Sequence, residues 1–201
     1  MTRQLAVAAD LRKDAFDWAA ILKHLHRIRA LTVRQPWAWA ILHGKPIENR
    51  RTLILPEGRV VWLHAGSWAR WDPDGQHSPL VQAAWQRAGD GQPLTRDPAG
   101  MPFGAIVALM ESGGCHHAAD CTGTDLAGGR RITRMCTPWA AAGQFHIGLA
   151  RVAPLPDPVP CRGMPGLWPP QEYALAAVRA QVAAFADAQR AVSNHQVRRD
   201  S

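Results

Sequence analysis

Apolar side chains recur every three or four residues near both ends of the chain. The first stripe falls within residues 11–29, where Asp10 is available as an N-cap, and consists of Trp18, Ile21, Leu25 and Ile28. The second falls within residues 171–192 and consists of Leu175, Val178, Val182 and Phe185. Both spacings predict amphipathic helices, which pack against each other or onto the body of the protein.

Between these helices the pattern changes to short apolar runs separated by glycine and proline. Such runs are typical of strands in a small barrel or sandwich. The predicted strands are residues 30–33, 59–64, 104–110 and 144–151. Residues 72–101 and 112–138 are polar and rich in glycine or turn residues, which predicts surface excursions, the first carrying one helix near residues 80–85.

A short helix is predicted early in the strand region. Pro36 suits a helix start, and Gly44 supplies the stop. Residues 45–50 therefore follow as an exposed loop at one edge of the strands. This gives three segments: a helical extension over 1–29, a barrel domain over 30–168, and a helix with a polar tail over 169–201.

The charge balance favours a polyanionic partner. The 201 residues include 23 Lys and Arg against 16 Asp and Glu, for a formal net charge of +7. Only three of the cations are lysines, and arginine suits phosphate and base edges. A GC-rich coding sequence also enriches arginine, so charge alone does not decide the function.

Several protein classes are not expected. No stretch approaches the roughly 20 apolar residues of a membrane-spanning helix. The apolar run before Asp10 is shorter than a signal-peptide core. Four cysteines, all in the second half of the chain, are too few for a disulfide framework. We therefore expect a cytoplasmic protein with reduced thiols and no membrane partner.

Residues 31–50, LTVRQPWAWAILHGKPIENR, closely resemble the signature of ASCH domains, in which a strand leads to a Pro-Trp helix and then to Gly, Lys and Glu-Asn-Arg. Further matches occur at residues 61–65, 104–109, 139, 143–146, 160–163 and 166–168. The resemblance implies an α+β protein with a PUA-like fold: a closed, mixed β-barrel of five or six strands with short helices. It also implies that the signature loop forms a cleft for RNA or a nucleotide.

The residues of the loop support this interpretation. Arg34, Lys45 and Arg50, with Arg51, are predicted to form a positive rim for phosphate. Glu48 among these cations either forms a structural ion pair or accepts a hydrogen bond from the exocyclic amine of a base.

Three further residues are candidates for the same cleft. Trp39, predicted on a helix face with His43, stacks a base or covers a neighbouring loop. We expect Trp37 to be a core residue, because it shares a face with Ala40 and Ile41. His64 and Ser67 follow a strand and are expected to line the cleft, although a strand histidine is often a core residue.

The resemblance leaves an enzymatic alternative. Some ASCH proteins are amidohydrolases of acylated cytidine, which need the loop lysine with a nearby hydroxyl. Lys45 matches, but Glu48 stands where threonine is expected, and the nearest hydroxyl is that of Thr52. For a ribonuclease, Lys45, Glu48 and His64 would serve as acid, base and phosphate stabiliser.

The missing threonine favours a binding module for RNA, single-stranded nucleic acid or a modified nucleoside. A third hypothesis is a protein-interaction module, with the terminal helices forming a homodimer.

Cysteine and histidine are concentrated around residues 115–136. Cys115, His116, His117, Cys121 and Cys136 are compatible with zinc, but their spacing matches no paired zinc signature. We therefore expect no metal and no cofactor, with packed or surface thiols in this region.

Overall fold

The computed structural model describes residues 16–89, 91–95, 98, 100–124, 131–133 and 135–199. Its helices are α1 (Trp18–His24), α2 (Trp37–Leu42), α3 (Pro73–His77), α4 (Pro79–Ala88) and α5 (Glu172–Arg199). Its strands are β1 (Ala30–Val33), β2 (Ile47–Arg50), β3 (Val60–Ala65), β4 (Ala105–His117), β5 (Thr122–Thr124), β6 (Arg131–Thr133), β7 (Phe145–Pro160) and β8 (Leu167–Trp168). The predicted α+β class is confirmed.

Six strands form one mixed sheet in the order β2-β7-β4-β3-β1-β8. The β1–β3 pair is parallel, and the other pairs are antiparallel. In the described part of the chain, β2 and β8 are free edges that do not pair with each other, so the expected closed barrel is wrong. The two-residue β8 and four-residue β2 are too short to continue the sheet around to closure.

The long β4 and β7 ribbon is the centre of the sheet. Successive side chains of a strand point to opposite faces, and the core divides accordingly. On β3, Trp62 belongs to the cluster under α1 and α5, whereas Val61 and Leu63 belong to the cluster under α2. Both faces of the central strands are therefore buried.

The terminal helices pack against each other and cover one face of the sheet. The rings of Trp18 and Phe185 lie 4.7 Å apart, and Gln189 Nε2 donates to the carbonyl of Phe16 at 3.0 Å. The stripe residues Val178 and Val182 are fully buried within the chain. The homodimer through the terminal helices stays a prediction, and much of each apolar stripe is already covered within the chain.

The start of α1 differs from its prediction. Asp17 caps the helix, with its side chain accepting from the backbone N–H of Ala20 at 3.0 Å. The predicted cap Asp10 and residues 11–15 lie outside the described residues. A 3-10 turn over 25–27 ends the helix and leads directly into β1.

The excursion over 72–101 contributes to the core. Val81, Ala84, Leu94 and Met101 form a third cluster with Trp39 and Trp71. The prediction of a surface excursion is thus wrong for these apolar positions, which cover the second face of α2. The segment over 112–138 also differs, since β4 continues through residue 117 and a small β5–β6 hairpin follows. None of the described helices is both long and apolar enough to cross a bilayer.

Candidate functional site

The signature loop lies along the floor of a cleft with a volume of about 470 Å³. We call this cavity the cleft. It is lined by Thr32, Val33, Arg34, Trp37, Lys45, Glu48, Asn49, Arg50, Arg51, Asp72, Asp74, Trp139, Ala140, Ala141 and Gln144. The size is suited to a small ligand such as a nucleotide. Of the site residues predicted from the sequence, Arg34, Lys45, Glu48 and Arg50 lie here.

Gly44 turns the chain from α2 into this floor. Its φ of +101° lies in the left-handed region that favours glycine. Lys45 N then donates to the carbonyl of Ala40 at 2.9 Å, which holds the lysine close under the helix. The side chain of Lys45 is only 2% exposed, so the expectation of an exposed loop is wrong at this position.

Glu48 joins two cations. Lys45 Nζ donates to Glu48 Oε2 at 3.0 Å and to the carbonyl of Ile47 at 2.6 Å. Arg50 Nε lies 3.1 Å from Glu48 Oε1, but its N–H does not point at that oxygen, so the contact is electrostatic. Arg50 also donates to the carbonyl of Thr32 at 2.8 Å. The structure therefore favours the ion-pair interpretation of Glu48, since its side chain is 8% exposed and both oxygens face cations.

The opposite rim pairs one arginine with an aspartate. Arg34 lies 2.9 Å from Asp72 Oδ2, and Trp37 Nε1 donates to the same oxygen at 3.1 Å. A Cβ at Gly75 would lie 2.9 Å from the Trp37 ring, so the close approach of α3 needs glycine there. These contacts fix the Trp37 ring in the wall of the cleft, 5.7 Å from Lys45 Nζ.

The two tryptophans of α2 differ from their predicted roles in different ways. Trp39 stacks on His43 with 3.7 Å between ring centroids, but it is 5% exposed and packs against Trp85. The prediction that Trp39 stacks a base is therefore wrong, because α4 covers that face of the helix. Trp37, which we expected in the core, is half-buried: it packs against two of the core clusters and also lines the cleft.

His64 and Ser67 do not line the cleft. The His64 ring is 1% exposed, and its Nε2 is 3.1 Å from the carbonyl of Cys161. A Cβ at Gly163 would lie 2.4 Å from the ring, so the space beside it is closed. Burial lowers the pKa of His64 below its ordinary 6.5, partly offset by this hydrogen bond. Ser67 is exposed at the start of a 3-10 turn.

The segment that follows β6 supplies the remaining wall. Trp139, Ala140, Ala141 and Gln144 line the cleft, and Asn49 on β2 fixes their position. Asn49 Nδ2 donates to the carbonyl of Trp139 at 2.8 Å, while its Oδ1 accepts from Ala141 N at 3.1 Å. Sequence reasoning missed Trp139 and Asn49 as cleft residues, although both belong to the matched segments.

A group of metal-compatible side chains lies behind this wall. We call His116, Cys121, Cys136 and His146 the Cys–His cluster, because their ligating atoms all lie within 4.8 Å of one another. His146 was not among the metal-compatible residues recognised in the sequence. Cys115 and His117 stand outside the cluster, since alternate residues of β4 point to the other face. The four residues match no paired zinc signature because strand pairing, rather than closeness in the chain, brings them together.

No model of a known protein family matches the chain. A search of curated proteins likewise found no significant relative.

Proposed function

We propose that the protein is an RNA- or nucleotide-binding module that holds a base in the cleft. The observation that carries this proposal is the presence of Trp37 and Trp139 in one cavity with three arginines at its edge. Aromatic faces stack bases of any sequence, and arginines contact the phosphates beside them. The resemblance of residues 31–50 to ASCH domains supports the same class of ligand.

The charge of the cleft favours a short ligand. Its four cations are Arg34, Lys45, Arg50 and Arg51, and its three carboxylates are Glu48, Asp72 and Asp74, so the formal balance is +1. Lys45, Arg50 and Arg34 are already paired with carboxylates. Arg51 is exposed and has no ion pair among the described residues. A single nucleotide or a short single strand fits this balance better than a long polyanion.

The geometry gives less support to a hydrolase. A general base must reach the proton that it removes, yet the Lys45 amine is buried and donates to Ile47 and Glu48. His64, the other proposed catalytic group, lies outside the cleft. Thr52, the nearest hydroxyl in sequence, is also absent from the residues that line it. The binding module is therefore the better proposal.

A ligand screen tests this proposal. Nucleosides, modified nucleosides, short RNAs and the matching DNAs are compared by thermal shift, and binders are measured by titration calorimetry. We expect Trp139→Ala to weaken binding by about 1–3 kcal/mol, as for a lost base stack. Trp68→Ala, at an exposed tryptophan outside the cleft, is the control and should leave the affinity unchanged.

Arg51 provides the electrostatic arm of the same experiment. We expect Arg51→Ala to weaken RNA binding. The slope of the logarithm of the affinity against the logarithm of the salt concentration should fall by about 1, as for the loss of one phosphate contact. Arg179→Ala, on the exposed face of α5, should change neither. A screen in which no ligand raises the melting temperature, or in which Trp139→Ala binds as well as the parent, would overturn the proposal.

A further inference from the structure

The Cys–His cluster is assembled from three parts of the chain. His116 on β4 pairs in register with His146 on β7, so the two imidazoles are neighbours across the ribbon. Cys121 follows a 3-10 turn directly after β4, and Cys136 precedes the segment that lines the cleft. The antiparallel pairing and the two flanking turns therefore bring four ligating atoms to one point.

Three of the six distances within the cluster are close to those of a tetrahedral zinc site, and the remaining ones are at most 4.8 Å. Zn–S bonds of about 2.3 Å and Zn–N bonds of about 2.0–2.1 Å place the ligand atoms of a tetrahedron roughly 3.3–3.8 Å apart. Cys121 Sγ lies 3.2 Å from His116 Nε2 and 3.3 Å from His146 Nδ1. Cys136 Sγ lies 3.4 Å from His146 Nδ1. These separations differ from the ideal edges by only a few tenths of an ångström.

A hydrogen bond outside the cluster orients one of the ligands. His146 Nε2 is 2.9 Å from the carbonyl of Ala141, which only accepts, so Nε2 carries the proton. In the neutral ring, Nδ1 then presents its lone pair to the two sulfurs. Ligating histidines commonly donate their second N–H to a carbonyl in this way.

The ligand chemistry selects the metal. Two thiols and two imidazoles form the common Cys₂His₂ set of structural zinc sites, while hard cations such as Mg²⁺ and Ca²⁺ prefer oxygen ligands. Four protein ligands fill a tetrahedron and leave no position for a reacting water. Cys136 is exposed, which provides a path for the ion, whereas Cys121 and His146 are buried.

We propose that His116, Cys121, Cys136 and His146 bind one structural Zn²⁺. The ion ties the end of the β4–β7 ribbon to the segment over 135–144, which forms one wall of the cleft. Ala141 links the cluster to this wall. Its carbonyl accepts from His146, and its N–H donates to Asn49. The site thus stabilises the cleft wall whatever ligand the cleft binds.

Elemental analysis of the full chain, produced with added zinc under reducing conditions, tests the site. We expect one zinc per chain in the parent and near-complete loss in Cys121→Ser and Cys136→Ser. Cys115→Ser is the matched control, because Cys115 precedes His116 on the same strand but packs against the cluster under α2. It should retain full zinc content. Because Cys136 is exposed, we expect the circular dichroism spectrum of Cys136→Ser to equal that of the parent, which would show that the loss of zinc does not reflect unfolding.

Two further measurements address the geometry. Replacement of zinc by Co²⁺ should give thiolate charge-transfer bands and the intense visible bands of tetrahedral cobalt, and both should weaken in Cys136→Ser. Removal of the metal by a chelator should increase hydrogen exchange over 135–144 and leave α5 unchanged.

Three results would overturn the proposal. One is a metal-free parent whose cysteines all react with an alkylating reagent after production with zinc. Another is a Cys121–Cys136 disulfide that forms in place of metal binding. The third is zinc that persists in both Cys121→Ser and Cys136→Ser, which would assign it to other residues.

Discussion

The ion-pair network of the loop and the Cys–His cluster meet where β2 pairs with β7, and they are built in opposite ways. Lys45, Glu48 and Arg50 come from six consecutive positions, whereas the four cluster residues span positions 116 to 146. In register, Glu48 stands opposite Ile147 and Asn49 stands opposite His146. Every charge of the network is paired within the network itself, since Lys45 and Arg50 both contact Glu48. The cluster has four converging ligand atoms and no opposite charge among them.

This difference separates a structural role from a binding role. A buried carboxylate between two cations is satisfied by the chain itself and offers little to a ligand. Two thiols and two imidazoles stabilise one another only weakly, but together they match the preferred ligands of zinc. Within the signature loop, Lys45 and Glu48 are therefore largely internal structure. The Cys–His cluster, which matches no paired zinc signature, has the better set of metal ligands.

The largest expected effect is the loss of the buried ion pair. Lys45→Ala should lower the free energy of unfolding by about 3–5 kcal/mol, because Glu48, whose side chain is 8% exposed, then keeps only the Arg50 contact. Lys45→Met keeps the aliphatic stem and separates the lost charge from lost packing. Urea denaturation measures both. Lys23→Ala, at an exposed lysine of α1, should change the stability by less than about 0.5 kcal/mol.

An unchanged stability of Lys45→Ala would contradict this account. It would restore the expectation from the sequence that Lys45 lies in an exposed loop and is free to contact a ligand.

A smaller effect is expected at Asn49, which lies between the two groups. Asn49→Ala removes the partners of the Trp139 carbonyl and of Ala141 N, and should destabilise the protein by about 1–2 kcal/mol. Thermal denaturation measures the loss, and Asn194→Ala on α5 is the exposed control of the same type. If Asn49→Ala also weakens zinc binding, the network and the cluster are coupled through Ala141. A stability equal to that of the control would show that this wall is held by other contacts.

Much of the fold could be predicted from local pattern. The β1 strand, the short helix after Pro36 and the two terminal helices follow from apolar spacing and from glycine and proline punctuation. Closure of the sheet could not be predicted this way, because it depends on whether β2 meets β8. That pairing is a long-range property of strand length and twist, which one sequence does not encode locally.

The site was predicted only in part, for the same reason. Arg34, Lys45, Glu48 and Arg50 are close in sequence, so their shared location could be inferred. The burial of Trp39 could not be inferred, because α4, about 40 residues away in the chain, covers the face that a single short helix would leave exposed. His146 was missed as a ligand because only the β4–β7 register brings it to His116.

The smallest expected effect is a pH dependence at His64. The His64 ring lies beside Cys161, Gly163, Trp168 and Thr32, with no charged side chain among these contacts, and burial lowers its pKa in the folded state. The unfolded chain therefore binds a proton near pH 6.5 while the folded protein does not. Its contribution to stability is fully present above pH 6.5 and is lost as the pH falls from there through the lower folded-state pKa.

Urea denaturation above and well below pH 6.5, with zinc saturating throughout, measures this effect. The free energy of unfolding should decline less steeply with falling pH for His64→Gln than for the parent. The slope that remains in His64→Gln belongs to other groups, among them His43, whose pKa burial also lowers. Equal slopes in both proteins would mean that His64 is protonated as readily in the folded chain as in the unfolded one, and that the pocket beside Gly163 opens to water.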